Sequence, residues 1–305
     1  MPKIICRFFL TAFFIIGALP GLAFAGQIEP YIQLGQGTRD FSWAIAGPRG
    51  IPDIQSELSW KDLRSRQVST GVEGAYRGFI TSLRADFGQI ESGTVRDSDY
   101  LENSRSNESF RSVSDASDST FRRWLLLIGP QIGMQGEIVL LPQIGYMRAD
   151  ETYRLRGGTQ LIPESEPIDG LDSSYKTQAK GFGGGMSLHL FPQKWVDRLG
   201  MGWHRFALQY VADADWNLRV NEPDPEDRFR YFKHRGTGVW TLFWLEGEWR
   251  ATGRLSLFAR WEKSELKVEN GLDTTYYLDG RITEQSLRSV VSGEETWLVG
   301  AKGRF

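Results

Sequence analysis

The 305-residue sequence holds a single cysteine, Cys6, inside an apolar N-terminal segment. The rest of the chain therefore has no disulfide, no thiol nucleophile and no thiolate metal site. An excess of positive charge is also lacking: 36 basic residues face 38 acidic ones. That balance excludes a nucleic-acid partner held by bulk electrostatics. Histidine is scarce, with only His189, His204 and His234. Beyond residue 25 no run of about 18 apolar residues occurs, which excludes helical membrane spans. Internal repeats, a glycine-rich phosphate loop and an interdomain linker are absent as well.

Residues 1–25 read as a secretory signal peptide. Lys3 and Arg7 make a basic start, "FFLTAFFIIGAL" follows, Pro20 and Gly21 break the apolar run, and "AFA" ends at Ala25. Cleavage before Gly26 leaves residues 26–305 as one domain, with 34 basic residues against 38 acidic ones once Lys3 and Arg7 are gone. Cys6 leaves with the segment, too far from the cleavage site for a lipid-modified cysteine.

Aromatic residues and strict alternation are what the chain does have. It carries 11 Trp, 18 Phe and 10 Tyr. In "TWLVGAKGRF", Trp297, Val299, Ala301 and Phe305 share one side of a strand, and Leu298, Gly300, Lys302 and Arg304 the other. In "VWTLFWLEGEW" Val239, Thr241, Phe243, Leu245 and Trp249 oppose Glu246 and Glu248; in "LSLFARWEK" Leu255, Leu257, Ala259 and Trp261 oppose Ser256, Arg260 and Glu262. Charges on the inner side of a solid sandwich are expensive. In a barrel they pair across a lumen while the apolar face meets lipid, and tryptophans near the ends of the runs form interfacial girdles.

Tight turns are expected at Arg77–Phe79, Gln135–Gly136, Gln193–Gly202 and Ala251–Arg254, and long polar loops at Gly47–Asp53, Asp97–Ser117, Thr159–Asp172, Asn221–Asp227 and Asn270–Arg288. Four tight turns and five loops need ten strands. The fold class is thus all-β, a ten-stranded antiparallel transmembrane β-barrel. Several strands run to 17 or more residues, where about 9 to 11 cross a bilayer, so the barrel should project beyond the outer surface of a Gram-negative outer membrane.

Along most of the mature chain the motifs resemble the omptins, a family of ten-stranded outer-membrane aspartyl-type endopeptidases. "QSELSW" (Gln55–Trp60) resembles the family's second strand and "DSDY" (Asp97–Tyr100) its acid pair. "GYMRADETYRLRGG" (Gly145–Gly158) is similar to the fifth strand, "YKTQAKGF" to the sixth and "WLVGAKGRF" to the last. The resemblance implies two aspartates on one wall and an Asp-His pair on the other, activating a water for attack on a peptide carbonyl. Such a histidine takes the water's proton while a carboxylate orients it. Asp97 and Asp99 match the first pair; at the second, Val220 stands at the aspartate position and Glu222 at the histidine position. His189 and His204 are expected near the periplasmic end. His234 is the candidate replacement base, read more readily as a lumen-facing polar residue without an acidic neighbour.

The family's pocket acids fall on Trp43 and Leu218, which removes the attraction for a basic substrate side chain. The family's lipopolysaccharide cluster is matched by Tyr146, whereas Arg148, Asp150 and Gln178 depart from it; Arg148 and Lys176 remain to meet a lipid phosphate. No cofactor and no resident metal are expected, although Asp97, Asp99 and Glu222 would make a coupled carboxylate cluster able to collect a hard cation such as calcium. Three readings follow. The first is an omptin-like barrel without the standard protease activity, in a structural, adhesive or binding role with outer-membrane lipid, lipopolysaccharide, a peptide or a host protein as partner. The second is an endopeptidase using Asp97 and Asp99 with a non-standard base. The third is a small pore, opposed by inward charges that would pair and plug it.

Overall fold

In the computed structural model, which describes residues 27–134, 137–192, 196–215 and 229–305, alternation becomes strand on nearly every segment. The elements are β1 (Gln27–Ile45), a 3-10 turn (Pro48–Gly50), β2 (Ser56–Tyr76), β3 (Phe79–Glu102), β4 (Ser106–Asp115), β5 (Thr120–Pro130), β6 (Ile132–Met134), β7 (Ile138–Ile162), β8 (Glu166–Pro167), β9 (Asp172–Leu190), β10 (Arg198–Asp215), β11 (Phe229–Arg250), β12 (Leu255–Tyr277) and β13 (Ile282–Gly303). The sheet runs β2-β1-β13-β12-β11-β10-β9-β7, then β4 and β5 in succession, then β3, which closes on β2. All pairings are antiparallel. With β4 and β5 sharing one position and β6 and β8 only short additions to β7, the wall is a closed ring of ten.

The 25 residues of β7 span roughly 80 Å along the strand. An apolar band about 25 Å tall needs far less, even at a 45° tilt. Two expected loops are accordingly hairpins instead: Asp97–Ser117 lies mostly in β3 and β4, and Asn270–Arg288 mostly in β12 and β13. Their polar composition reflects strands that stand in water on their outer face, so polarity there marks exposure rather than turn. The turn expected at Gln193–Gly202 ends earlier, since β10 begins at Arg198. The signal segment, Gln135–Gly136 and Asn221–Asp227 fall outside the described residues.

The outer wall carries the lipid-facing residues anticipated from alternation, among them Trp297, Val299, Leu257 and Trp249. At the upper edge of this band Phe87 meets Trp124 (6.0 Å), Phe243 meets Trp261 (5.9 Å) and Trp261 meets Trp297 (6.4 Å).

The lumen has two storeys. The lower one is filled by ion pairs. Arg198 reaches Glu246 (2.8 Å) and Glu248 (2.9 Å), Lys302 reaches Glu73 (2.9 Å), and Arg84 reaches Asp86 (2.7 Å) and Glu262 (2.8 Å). A gap of about 20 Å³ among Arg84, Asp86, Arg123, Glu262 and Glu294 has room for about one water. Above it the lumen turns apolar, with Phe41, Trp43, Leu58, Trp60, Tyr153 and Tyr175 in one buried cluster. Irregularities separate the storeys: register shifts between Arg39 and Phe41 and between Lys61 and Arg64, Gly93 at φ 151°, and the break Ala116–Ser119 between β4 and β5. Bulges re-aim side chains. On β2 and β3 they switch which alternate residues face inward, from Ser65 and Gln67 to Leu58 and Trp60, and from Arg84 and Asp86 to Val95.

Candidate functional site

The switch at Gly93 turns Asp97 and Asp99 toward the lumen. Asp97 lies directly opposite Leu58 and Asp99 opposite Ser56 on β2, and directly opposed residues point to one side of a sheet; Leu58 is a fully buried core residue. Burial, and then the neighbouring Asp99 carboxylate, push the Asp97 carboxyl well above the usual range. Burial raises Asp99 as well, against a hydrogen bond from Ser56. Among the described residues neither has a cation as partner. Two adjacent carboxyls so placed retain a proton more readily than free aspartates do.

His234 stands on β11, five positions round the ring from β3 in either direction. It is fully buried, and it does have an acidic neighbour: its Nε2 lies 3.1 Å from Oδ1 of Asp273, itself 1% exposed. The expectation of a histidine without a carboxylate therefore fails. Its Nδ1 is 2.7 Å from the Tyr175 hydroxyl, which is 3.0 Å from the Tyr210 hydroxyl, and Thr275 donates to Asp273 (3.1 Å). Burial lowers the His234 pKa from its ordinary value, with Asp273 opposing. With Tyr175 on one nitrogen and Asp273 beside the other, no nitrogen is left to deprotonate a substrate water.

Trp43 is buried between the two walls. It packs edge-on against His234 (4.9 Å) and Phe232 (5.4 Å) and lies opposite Leu58, the cross-strand neighbour of Asp97. Leu58 and Trp43 thus intervene between the acid pair and the histidine. Trp60 adds to the filling, against Phe41 (5.3 Å), Tyr153 (5.4 Å) and Tyr175 (5.9 Å). Val220, Glu222 and Leu218 lie outside the described residues. No group of three or more His, Cys, Asp or Glu able to hold a metal occurs among the described residues. His189 and His204 are low in the lumen, His204 with Gln143 at 3.0 Å.

On the outer wall Tyr146 packs on Phe182 (5.0 Å), and Arg148 is tied to Asp150 (2.8 Å), which also accepts from Gln178 (2.9 Å). Lys176 is opposite Thr152, further from the membrane than Arg148, which is opposite Lys180. A hollow of about 1120 Å³ opens beside them, bordered by Phe182, Lys180, Arg205, Ala207, Val239 and Lys267. Lys180 and Arg205 have no carboxylate partner among the described residues. Sequence reasoning passed over both because alternation along one strand does not show which outward residues of the neighbouring strands lie beside it.

The chain matches the family model described as "Pom: Protochlamydia outer membrane protein" over residues 31–299. No curated protein matches it. Among solved structures it is similar to the outer membrane protease OmpT from Escherichia coli, with a TM-score of 0.72 and 13% identity over 94% of this chain and 99% of that one. The translocator domain of the autotransporter NalP from Neisseria meningitidis gives a TM-score of 0.36 and 11% identity, over 95% of this chain and 92% of that one. At 13% identity the likeness to OmpT is one of fold.

Proposed function

Because the chain belongs to the Protochlamydia outer membrane protein family, whose setting is the outer membrane, we propose that it is an omptin-like barrel without the standard protease activity, acting as a structural and binding protein through its outer wall and extracellular rim. One observation carries this reading: the space between the acid pair and the opposite wall is packed with Trp43, Trp60, Tyr153 and Tyr175. A peptide at Asp97 would face this packing instead of an open catalytic wall, and a water there would have no base. The buried ion pairs of the lower storey support a barrel that does not conduct.

The test is cleavage of a mixed peptide library by the lipid-reconstituted protein from acidic to neutral pH, with and without lipopolysaccharide. No cleavage is expected at any pH, and no appreciable conductance in planar bilayers. Cleavage abolished by Asp97→Ala would establish instead an endopeptidase with another base.

The binding partner best supported is an anionic outer-leaflet lipid such as lipopolysaccharide. Lys180 borders a hollow just above an apolar row, Phe182, Ala207 and Val239, which the strand register sets side by side, and Arg205 borders it two residues below Ala207. A phosphate at either cation and an acyl chain laid across the apolar row between them fit that arrangement, with about 1 kcal/mol for each basic residue. The double substitution Lys180→Ala and Arg205→Ala is expected to weaken lipopolysaccharide binding to the refolded barrel roughly thirtyfold. Unchanged binding in a titration of labelled lipid would remove the hollow from the reading.

A further inference from the structure

The polar bonds inside the aromatic storey have no part in the function proposed above, which uses only the packing of the Tyr175 ring. The four residues concerned come from four consecutive strands: Tyr175 from β9, Tyr210 from β10, His234 from β11 and Asp273 from β12. Among the described residues, the other rings packed on His234 are apolar: Trp43 from β1 and Phe232 from its own strand, with ring centroids at 4.9 and 5.1 Å. We propose that Asp273, His234, Tyr175 and Tyr210 form a pH-sensitive latch that holds the extracellular end of the barrel shut near neutral pH and loosens it in acid.

A neutral imidazole offers one acceptor and one donor. Here the acceptor role falls to Nδ1, which takes the Tyr175 hydroxyl proton at 2.7 Å, and Nε2–H is turned to the Asp273 side. The Tyr175 oxygen is then free to accept from Tyr210, 3.0 Å away. An imidazolium has two donors and no acceptor. Nδ1–H must then donate to Tyr175, Tyr175 must donate to Tyr210, and the Tyr210 hydroxyl proton loses its place in a cluster without solvent. Asp273 favours the charged ring, but its Oδ1 and His234 Nε2 are not aligned as a hydrogen bond, and burial is the larger influence on the ring.

The sign follows from linkage. A base whose folded pKa is depressed contributes stability that is complete above its unfolded value, about 6.5, and is lost as pH falls below it, because the unfolded chain binds the proton more readily. Asp97 and Asp99, across Leu58 and Trp43 from the latch, act oppositely. Their raised values burden the fold at neutral pH and relax in acid.

The experiment is amide hydrogen exchange of the full-length protein in lipid vesicles between pH 7.5 and 4.5, corrected for intrinsic rates. In the unsubstituted protein the upper parts of β9 to β12 should lose at least tenfold in protection below about pH 6, while the lower parts hold. His234→Gln should flatten that profile. Asp97→Asn should keep the acid response and gain protection at neutral pH. Tyr175→Phe, which leaves the histidine but removes the hydroxyl that favours its neutral form, should move the transition toward pH 6.5 and serves if His234→Gln does not fold. An unsubstituted barrel without an acid response would overturn the latch, as would a Tyr175→Phe transition unmoved or the same profile in His234→Gln.

Discussion

Arg39→Ala is expected to lower the stability of the reconstituted barrel by about 3–5 kcal/mol, the range for removing one partner of a buried ion network. Arg39 is wholly buried, and its guanidinium bridges Glu151 on β7 (3.0 Å) and Glu294 on β13 (2.9 Å) while lying over the Phe121 ring (4.3 Å). Without it Arg123 alone faces two carboxylates, bonding Glu151 at 2.9 Å and pairing with Glu294. Arg39→Lys keeps the charge but cannot span both acids, so an intermediate loss is expected. Adding Glu294→Gln to Arg39→Ala should recover part of it by removing the uncompensated charge. Urea unfolding in lipid vesicles, followed by heat-dependent gel mobility, measures the series. A loss under about 1 kcal/mol for Arg39→Ala would mean that water enters the storey boundary and screens the acids.

Trp60→Ala is the second large effect, about 3–5 kcal/mol. The side chain is fully buried among Phe41, Tyr153 and Tyr175, and its indole N–H donates to the Arg154 carbonyl (3.3 Å). Truncation leaves both a cavity and an unpaired carbonyl. Trp60→Phe keeps most of the ring contact and should cost less than half as much. The comparison separates packing from the hydrogen bond. If both variants cost equally little, the upper storey collapses freely and is not the close-packed plug that the proposed loss of protease activity rests on. Conductance should remain absent in Trp60→Ala, because the ion pairs below still close the lumen.

Much of the wall was legible from the chain alone, since a strand exposes its inner and outer faces to different media and the sequence must alternate to match. Trp297 and Val299 against Leu298 and Lys302, and Leu245 and Trp249 against Glu246 and Glu248, fall on the sides that alternation assigns. His234 shares the parity of Glu246 and Glu248 on an inward face that stays in phase along β11. Polar composition misled at Asp97–Ser117 and Asn270–Arg288 because strands above a membrane have a watery outer face.

What sequence by itself determined, then, is a ten-stranded outer-membrane barrel with long strands, an acid pair, and a histidine that points inward. Only the tertiary structure decided what those groups meet. Bulges reset the phase: Gly93 turns Asp97 and Asp99 inward, and Asn270 at φ 56° brings Asp273 to the inner face after Val268 and Leu266 have set the opposite parity. A bulge is one residue out of register, with no reliable signature in composition, yet it moves every later side chain to the other face. The partners of His234 lie 59 residues back at Tyr175 and further on at Asp273. Such meetings depend on how the ring closes, which local pattern does not encode.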